Sequence, residues 1–140
     1  MSAFINENFV PVEIHIKENP AGFHRFDVLW TPSVLIMDPE GKERVRNEGY
    51  LPRADFRAWL EMGLARLAFV AKKWAEAEER FDGVVRKYPE SGVAAYSVYW
   101  RGVSRYKETK DRTDLSAVNE EFKHRYQDSI WAKKAVVWGS

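Results

Sequence analysis

The side chains able to act as nucleophiles, bases or ligands are few and scattered. The 140 residues contain no cysteine, which excludes thiolate attack on sulfur, disulfide bonds and Cys-ligated zinc for the polypeptide as given. The three histidines, His15, His24 and His124, show no H-E-x-x-H spacing that would set two imidazoles on one helix face. His15 reads as a surface residue of a strand and His124 as a solvated helix residue. Ser33 stands in no G-x-S-x-G context, and no glycine-rich phosphate loop is present. Glu76, Glu78 and Glu79 make a charged helix face of the kind that is normally solvated. These residues name no catalytic group, no metal ligand and no cofactor site.

The totals describe an ordinary soluble domain. Hydrophobic residues make up 45% and charged residues 31%, a balance that supports a packed core. Six Trp, six Tyr and eight Phe are many for this length and favour a dense core or an adhesive surface. Twenty-two basic against 21 acidic residues leave a net charge of +1, so no long-range field draws in nucleic acid or anionic lipid. Neither a secretory leader nor a run approaching ~18 apolar residues is present. The expectation is a cytoplasmic protein with no nucleic-acid or membrane partner.

Periodicity places the elements. Val10, Val12, Ile14 and Ile16 alternate with Pro11, Glu13, His15 and Lys17, the pattern of a strand with one buried face. Pro11 confines that strand to an edge or places it at the strand's start. Glu18 to Gly22 is a breaker cluster, and residues 22–29 are expected to hold a short helix with Phe23, Phe26 and Val28 or Leu29 inward. Ser33 to Met37 is a continuous apolar run, as in a fully buried strand. Asp38-Pro39-Glu40-Gly41 is a turn with a mechanism: Asp accepts local backbone bonds, Pro presets φ, Gly tolerates positive φ. Lys42 to Tyr50 returns as a polar strand whose charges discourage edge-to-edge pairing.

From Pro52 the period becomes helical. Phe56, Leu60, Leu64, Leu67 and Ala71 form one stripe. Further helices are predicted over 75–88 (Ala77, Phe81, Val84, Val85 and Tyr88 inward), 92–107, 115–126 and 129–138, with Ser91 and Ser129 as N-caps. A longer loop is expected over Lys107 to Thr113. Tyr88, Ser91, Ala94, Val98 and Trp100 recur as Tyr126, Ser129, Ala132, Val136 and Trp138, an offset of 38 residues. Helix-pair repeats have periods of ~34 residues or somewhat more. Trp100 and Trp138 read as inter-helix packing rather than as an aromatic cage.

Two resemblances follow from these residues. Residues 4–60 resemble the back half of a thioredoxin-fold protein. Phe4 to Ile14 is similar to the end of the active-site helix and the strand after it. Trp30-Thr31-Pro32 before the strand to Asp38 is similar to the cis-proline loop, with Gly41 in the hairpin turn and Gly49-Tyr50 after the last strand. The resemblance implies a cis Thr31–Pro32 bond in place of an ordinary trans one, and a peptide-binding site at Trp30, Thr31 and Pro32. Residues 64–140 resemble tetratricopeptide-like helix pairs: Ala77, Phe81 and Pro89 stand at the usual spacings, and Gly102 falls at a tight crossing. Gln127 replaces the second proline.

The expected fold class is α/β plus all-α: an incomplete thioredoxin-like β-α-β-β-α unit over 1–63, followed by a tetratricopeptide-like helical array over 64–140. The family's Cys-x-x-Cys and the strand before it have no counterpart. That leaves a gap between the strand of Val10 to Ile16 and the strand of Ser33 to Met37. Direct pairing of those two strands, or a strand borrowed from another copy, would close it, and a homodimer through sheet completion is expected. The functional expectation is a non-catalytic, chaperone-like or scaffold module that binds another protein or peptide, without cofactors. The alternative is a fragment of a thiol-disulfide oxidoreductase whose Cys-x-x-Cys half lies upstream of Met1.

Overall fold

Apolar Ser33 to Met37 and polar Glu43 to Glu48 pair as β1 (Ser33–Met37) and β2 (Glu43–Glu48), a two-stranded sheet. The computed structural model describes residues 1–139. The turn between the strands works as its residues dictate. Asp38 Oδ1 accepts the amides of Glu40 (3.0 Å) and Lys42 (2.9 Å), Oδ2 accepts Arg44 Nε at 2.9 Å, and Gly41 takes φ +83°. The Lys42 amide and the Arg44 guanidinium hold the Asp38 carboxyl below its ordinary value.

Two compact units share this hairpin. The first comprises Met1–Leu35 and Arg46–Tyr50; the second comprises Ile36–Val45 and the chain from Leu51 onward. In the first unit lie α1 (Ser2–Asn8) and α2 (Pro20–Arg25). The Asn19 side chain caps α2 by accepting the Gly22 amide, and Pro20 occupies the first turn, where its missing N–H costs nothing. Gly22 is the one buried residue of this unit among those described.

The strand expected over Val10 to Ile16 does not form. Residues 9–15 belong to no element and 16–18 form a turn; Val10 is 91% exposed and Val12 79%. Alternation gives a segment the capacity to be a strand, but a ladder needs a neighbour, and none of the described segments supplies one. Direct pairing with β1 is likewise absent among the described residues, so the chain from Met1 into α3 (Arg53–Val70) reads α-α-β-β-α where β-α-β-β-α was expected. The short helix ends at Arg25, four residues early, and Leu29 is exposed.

The second unit is helical: α3 (Arg53–Val70), α4 (Trp74–Lys87), α5 (Ala94–Thr109), α6 (Thr113–Phe122), α7 (Ile130–Ala135) and a 3-10 turn over Val136–Gly139. Each of these helices packs on the next, and short connections make packed neighbours antiparallel. Of the stripe expected on α3, Leu60 is buried and Phe56, Leu64 and Leu67 are half-buried. The buried residues are Ala58, Trp59, Leu60, Met62, Gly63, Ala65 and Ala68, while Ala71 lies outside the helix and exposed. Small residues at 58, 63, 65 and 68 let neighbours close on several sides, so burial is wider than one stripe. Ile36 fills the space over Gly63, where a Cβ would lie 2.2 Å from its Cδ1. Ile36 is the only fully buried residue of β1, which is otherwise half-buried, not fully buried as its apolar run suggested.

Of the inward residues expected on α4, Ala77, Phe81, Val84 and Val85 are buried, while Tyr88 follows the helix as its C-cap and is half-buried. Gly102 stands at a close crossing, since a Cβ on it would lie 1.9 Å from Val118 Cγ2. The loop after α5 is shorter than expected. Lys110 terminates α5 in the left-handed region, and Asp111 Oδ1 accepts both the amide (2.9 Å) and the hydroxyl (2.8 Å) of Thr113 to start α6. Ser129 caps α7 through the Ala132 amide at 3.1 Å. Ser91 does not cap α5: the helix starts at Ala94, whose amide bonds the Ser91 carbonyl, and the Ser91 hydroxyl is buried without a partner.

Candidate functional site

The peptide bond between Thr31 and Pro32 is cis. The bends around it are built from the first unit alone. Ser33 Oγ donates to the Trp30 carbonyl at 2.6 Å, closing the chain over the proline. On the facing side the Gly49 amide donates to the Pro32 carbonyl at 2.7 Å. Gly49 takes φ +100°, a region side-chain-bearing residues avoid, and Asn47 Nδ2 holds its carbonyl at 2.9 Å. The chain leading into the loop is tied by Arg46, whose Nη1 donates to the Asp27 carbonyl at 2.9 Å and whose Nη2 donates to that of Phe26. Asp27 itself sits at φ +53°.

This scaffold presents Trp30 at 68% exposure, with Leu29 at 79% and Tyr50 at 80%. Thr31 and Pro32 are exposed between them. No hydrogen bond to the Thr31 main chain forms among the described residues. The three residues named from the sequence are thus one continuous exposed surface, with an unpaired amide and carbonyl at its centre and aromatic rings at Trp30 and Tyr50. Such a surface can pair with an extended main chain and cover apolar side chains on either side.

Two contributors escaped sequence reasoning. Arg46 is one of the strand charges that the sequence suggests protect an edge, but it holds the carbonyls of residues 19 and 20 positions away. A lone arginine in a polar strand gives no local sign of such a partner. Tyr50 was visible only as the residue after Gly49; its exposure could not be read from type.

The helical unit carries a second set of polar contacts. Arg101 Nη1 on α5 donates to Asp82 Oδ1 on α4 at 2.9 Å, and its Nη2 donates to Glu121 on α6. One turn later Arg105 reaches Asp114 of α6 at 3.0 Å and Glu78 of α4 at 3.3 Å. Two arginines therefore tie three helices, and Glu78 belongs to this lattice rather than to a purely solvated face. Burial opposes ionisation of Asp82, but Arg86 and Arg101 outweigh it and hold its carboxyl below the ordinary value. Glu61 is lowered in the same way, with Lys87, Tyr88 and Arg57 overcoming burial.

Trp100 packs edge-on to Phe69 and Tyr99, and Trp138 stacks on Tyr99 with ring centres 4.8 Å apart, so both indoles sit in aromatic packing. Burial raises the Tyr96 phenol above its ordinary value, and Arg66 Nη1 donates to its oxygen at 2.8 Å. His15 lies 3.2 Å from Glu13, and no cluster of three or more His, Asp or Glu side chains could hold a metal among the described residues. No helix there is long and apolar enough to cross a membrane.

Comparison with known proteins finds that residues 1–63 match the family model of a thioredoxin-like domain. That span covers the cis-proline loop and the hairpin, and it crosses both compact units. No curated protein and no solved structure matches the chain.

Proposed function

We propose that this chain is a non-catalytic interaction module of thioredoxin ancestry that binds an extended polypeptide, in a chaperone-like or scaffold role. The observation that carries the reading is the exposure of Trp30 beside an unpaired Thr31 main chain in the loop before β1. The thioredoxin-like match over this loop supports it, because a peptide would pair there by main chain. The absence of cysteine from the sequence separates binding from thiol chemistry. The stacked helices, with an internal offset of 38 residues, support a tetratricopeptide-like array as a second protein-binding surface. The same family match favours one other reading, a piece of a thiol-disulfide oxidoreductase whose Cys-x-x-Cys lies upstream; the reading frame before Met1 decides it.

The test is titration with a fluorescently labelled, permanently unfolded polypeptide. Binding is expected, and Trp30→Ala should weaken it about tenfold, ~1.4 kcal/mol, the modest end of aromatic hot spots. Trp30 is exposed, so its removal leaves the fold intact. No binding by the parent chain, or equal binding by the variant, rejects the proposal.

A further inference from the structure

The bend at residues 30–32 is held by one hydrogen bond at each end. At the Pro32 end the Gly49 amide donates to the Pro32 carbonyl at 2.7 Å. At the Trp30 end the tie is a side chain: the Ser33 hydroxyl donates to the Trp30 carbonyl at 2.6 Å. Trp30 has no other hydrogen bond and no ring contact among the described residues. Pro32 has no N–H. Between the two ties the main chain therefore offers one free donor and one free acceptor, both on Thr31. Ser33 is half-buried and opens β1, a strand whose other four residues are apolar.

We propose that Ser33 is a positioning residue for peptide binding: its hydroxyl holds the Trp30 carbonyl so that the loop keeps the shape in which both Thr31 main-chain groups are offered together. This rests on the reading of the loop as a peptide site and adds a residue that acts there without touching the peptide. The tie has two effects. It restrains Trp30, which nothing else among the described residues does. It also occupies the Trp30 carbonyl, so an incoming main chain finds an acceptor at Thr31 and not at the residue before it, and a single register follows. A loop that holds its binding shape for only part of the time binds more weakly in that proportion. One hydrogen bond shifts such a population about two- to tenfold. The loss is one of preorganisation, so it falls on association. Losing the Trp30 ring removes contact from the bound state, so it falls on dissociation.

Stopped-flow binding of the labelled, permanently unfolded polypeptide to the full chain tests this. Ser33→Ala should raise Kd about two- to tenfold, through slower association with dissociation close to that of the parent. Ser33→Thr keeps a hydroxyl at the same position and should restore both Kd and the association rate. Trp30→Ala, measured alongside, should speed dissociation. If Trp30→Ala weakens binding while Ser33→Ala binds as the parent does, the positioning role is overturned and the peptide site stands. If Ser33→Ala weakens binding through faster dissociation alone, or Ser33→Thr fails to restore it, the hydroxyl does not act through the shape of the loop and the proposal falls. No binding by the parent overturns both readings.

Discussion

Gly102→Ala tests how closely α5 and α6 approach. A Cβ at this position would lie 1.9 Å from Val118 Cγ2 and 3.4 Å from Val118 Cβ. Val118 is 4% exposed and β-branched, so its χ1 is stiff. Relief requires it to leave its rotamer or the helices to separate. Overpacking of this kind costs about 1–3 kcal/mol. The alanine returns about 0.5–1 kcal/mol by restricting the unfolded chain and favouring helix. The net expectation is a loss of up to about 2.5 kcal/mol, read as a lower urea midpoint at unchanged slope. In a Val118→Ala background the obstruction is gone and the new methyl fills vacated space. There Gly102→Ala should become stabilising by about 0.5–1 kcal/mol, the helix gain alone. The reversal of sign is the signature, since contacting residues couple and distant ones add. Stabilisation in the parent background, or additive effects of the two substitutions, would refute the close crossing.

Two further expectations concern the carboxylates. Asp38→Ala removes the acceptor for the Glu40 and Lys42 amides and the Arg44 guanidinium, so hydrogen exchange at those two amides should accelerate while the amides of α4 keep their protection. Asp82 and Glu61 are held below their ordinary values of 3.8 and 4.5, so the unfolded chain binds protons more tightly than the folded one. Their stabilisation is present above those ordinary values and drains away as pH falls through the depressed folded ones. The urea midpoint should therefore fall as pH drops below about 4, and less steeply in Asp82→Asn; an unchanged slope in that variant would show that the Arg101 contacts carry no such linkage.

Much of the hairpin and its loop was legible because the signals are local. Asp38 to Gly41 encodes its own turn through side-chain acceptors and positive φ, and the apolar run before it has strand length. Helix α4 was legible because Pro89 and the spacing of Ala77, Phe81, Val84 and Val85 agree. What failed was nonlocal. The face of α3 depends on which helices surround Ala58, Ala65 and Ala68, and small residues do not announce how many neighbours they admit. Arg46 gains its role from the carbonyls of Phe26 and Asp27, in the turn after α2. Ser91 has the type and place of a cap, but the chain runs on to Ala94 before turning helical.

The repeat shows the same limit more sharply. Ala94 and Ala132, at equivalent positions, are both buried, yet Val98 is 0% exposed and Val136 64%. The residues match; their surroundings differ. Val98 packs with Val118, Phe122, Ala132 and Ala135, side chains contributed by helices that follow α5. Val136 has no such helices after it among the described residues, and the chain there has tightened from α7 into a 3-10 turn. A repeat therefore transmits the residues that make contact but not the partner that completes it. The same reasoning governs Val10 and Val12: their alternation specifies one face and one edge, and what they lack is a neighbouring strand.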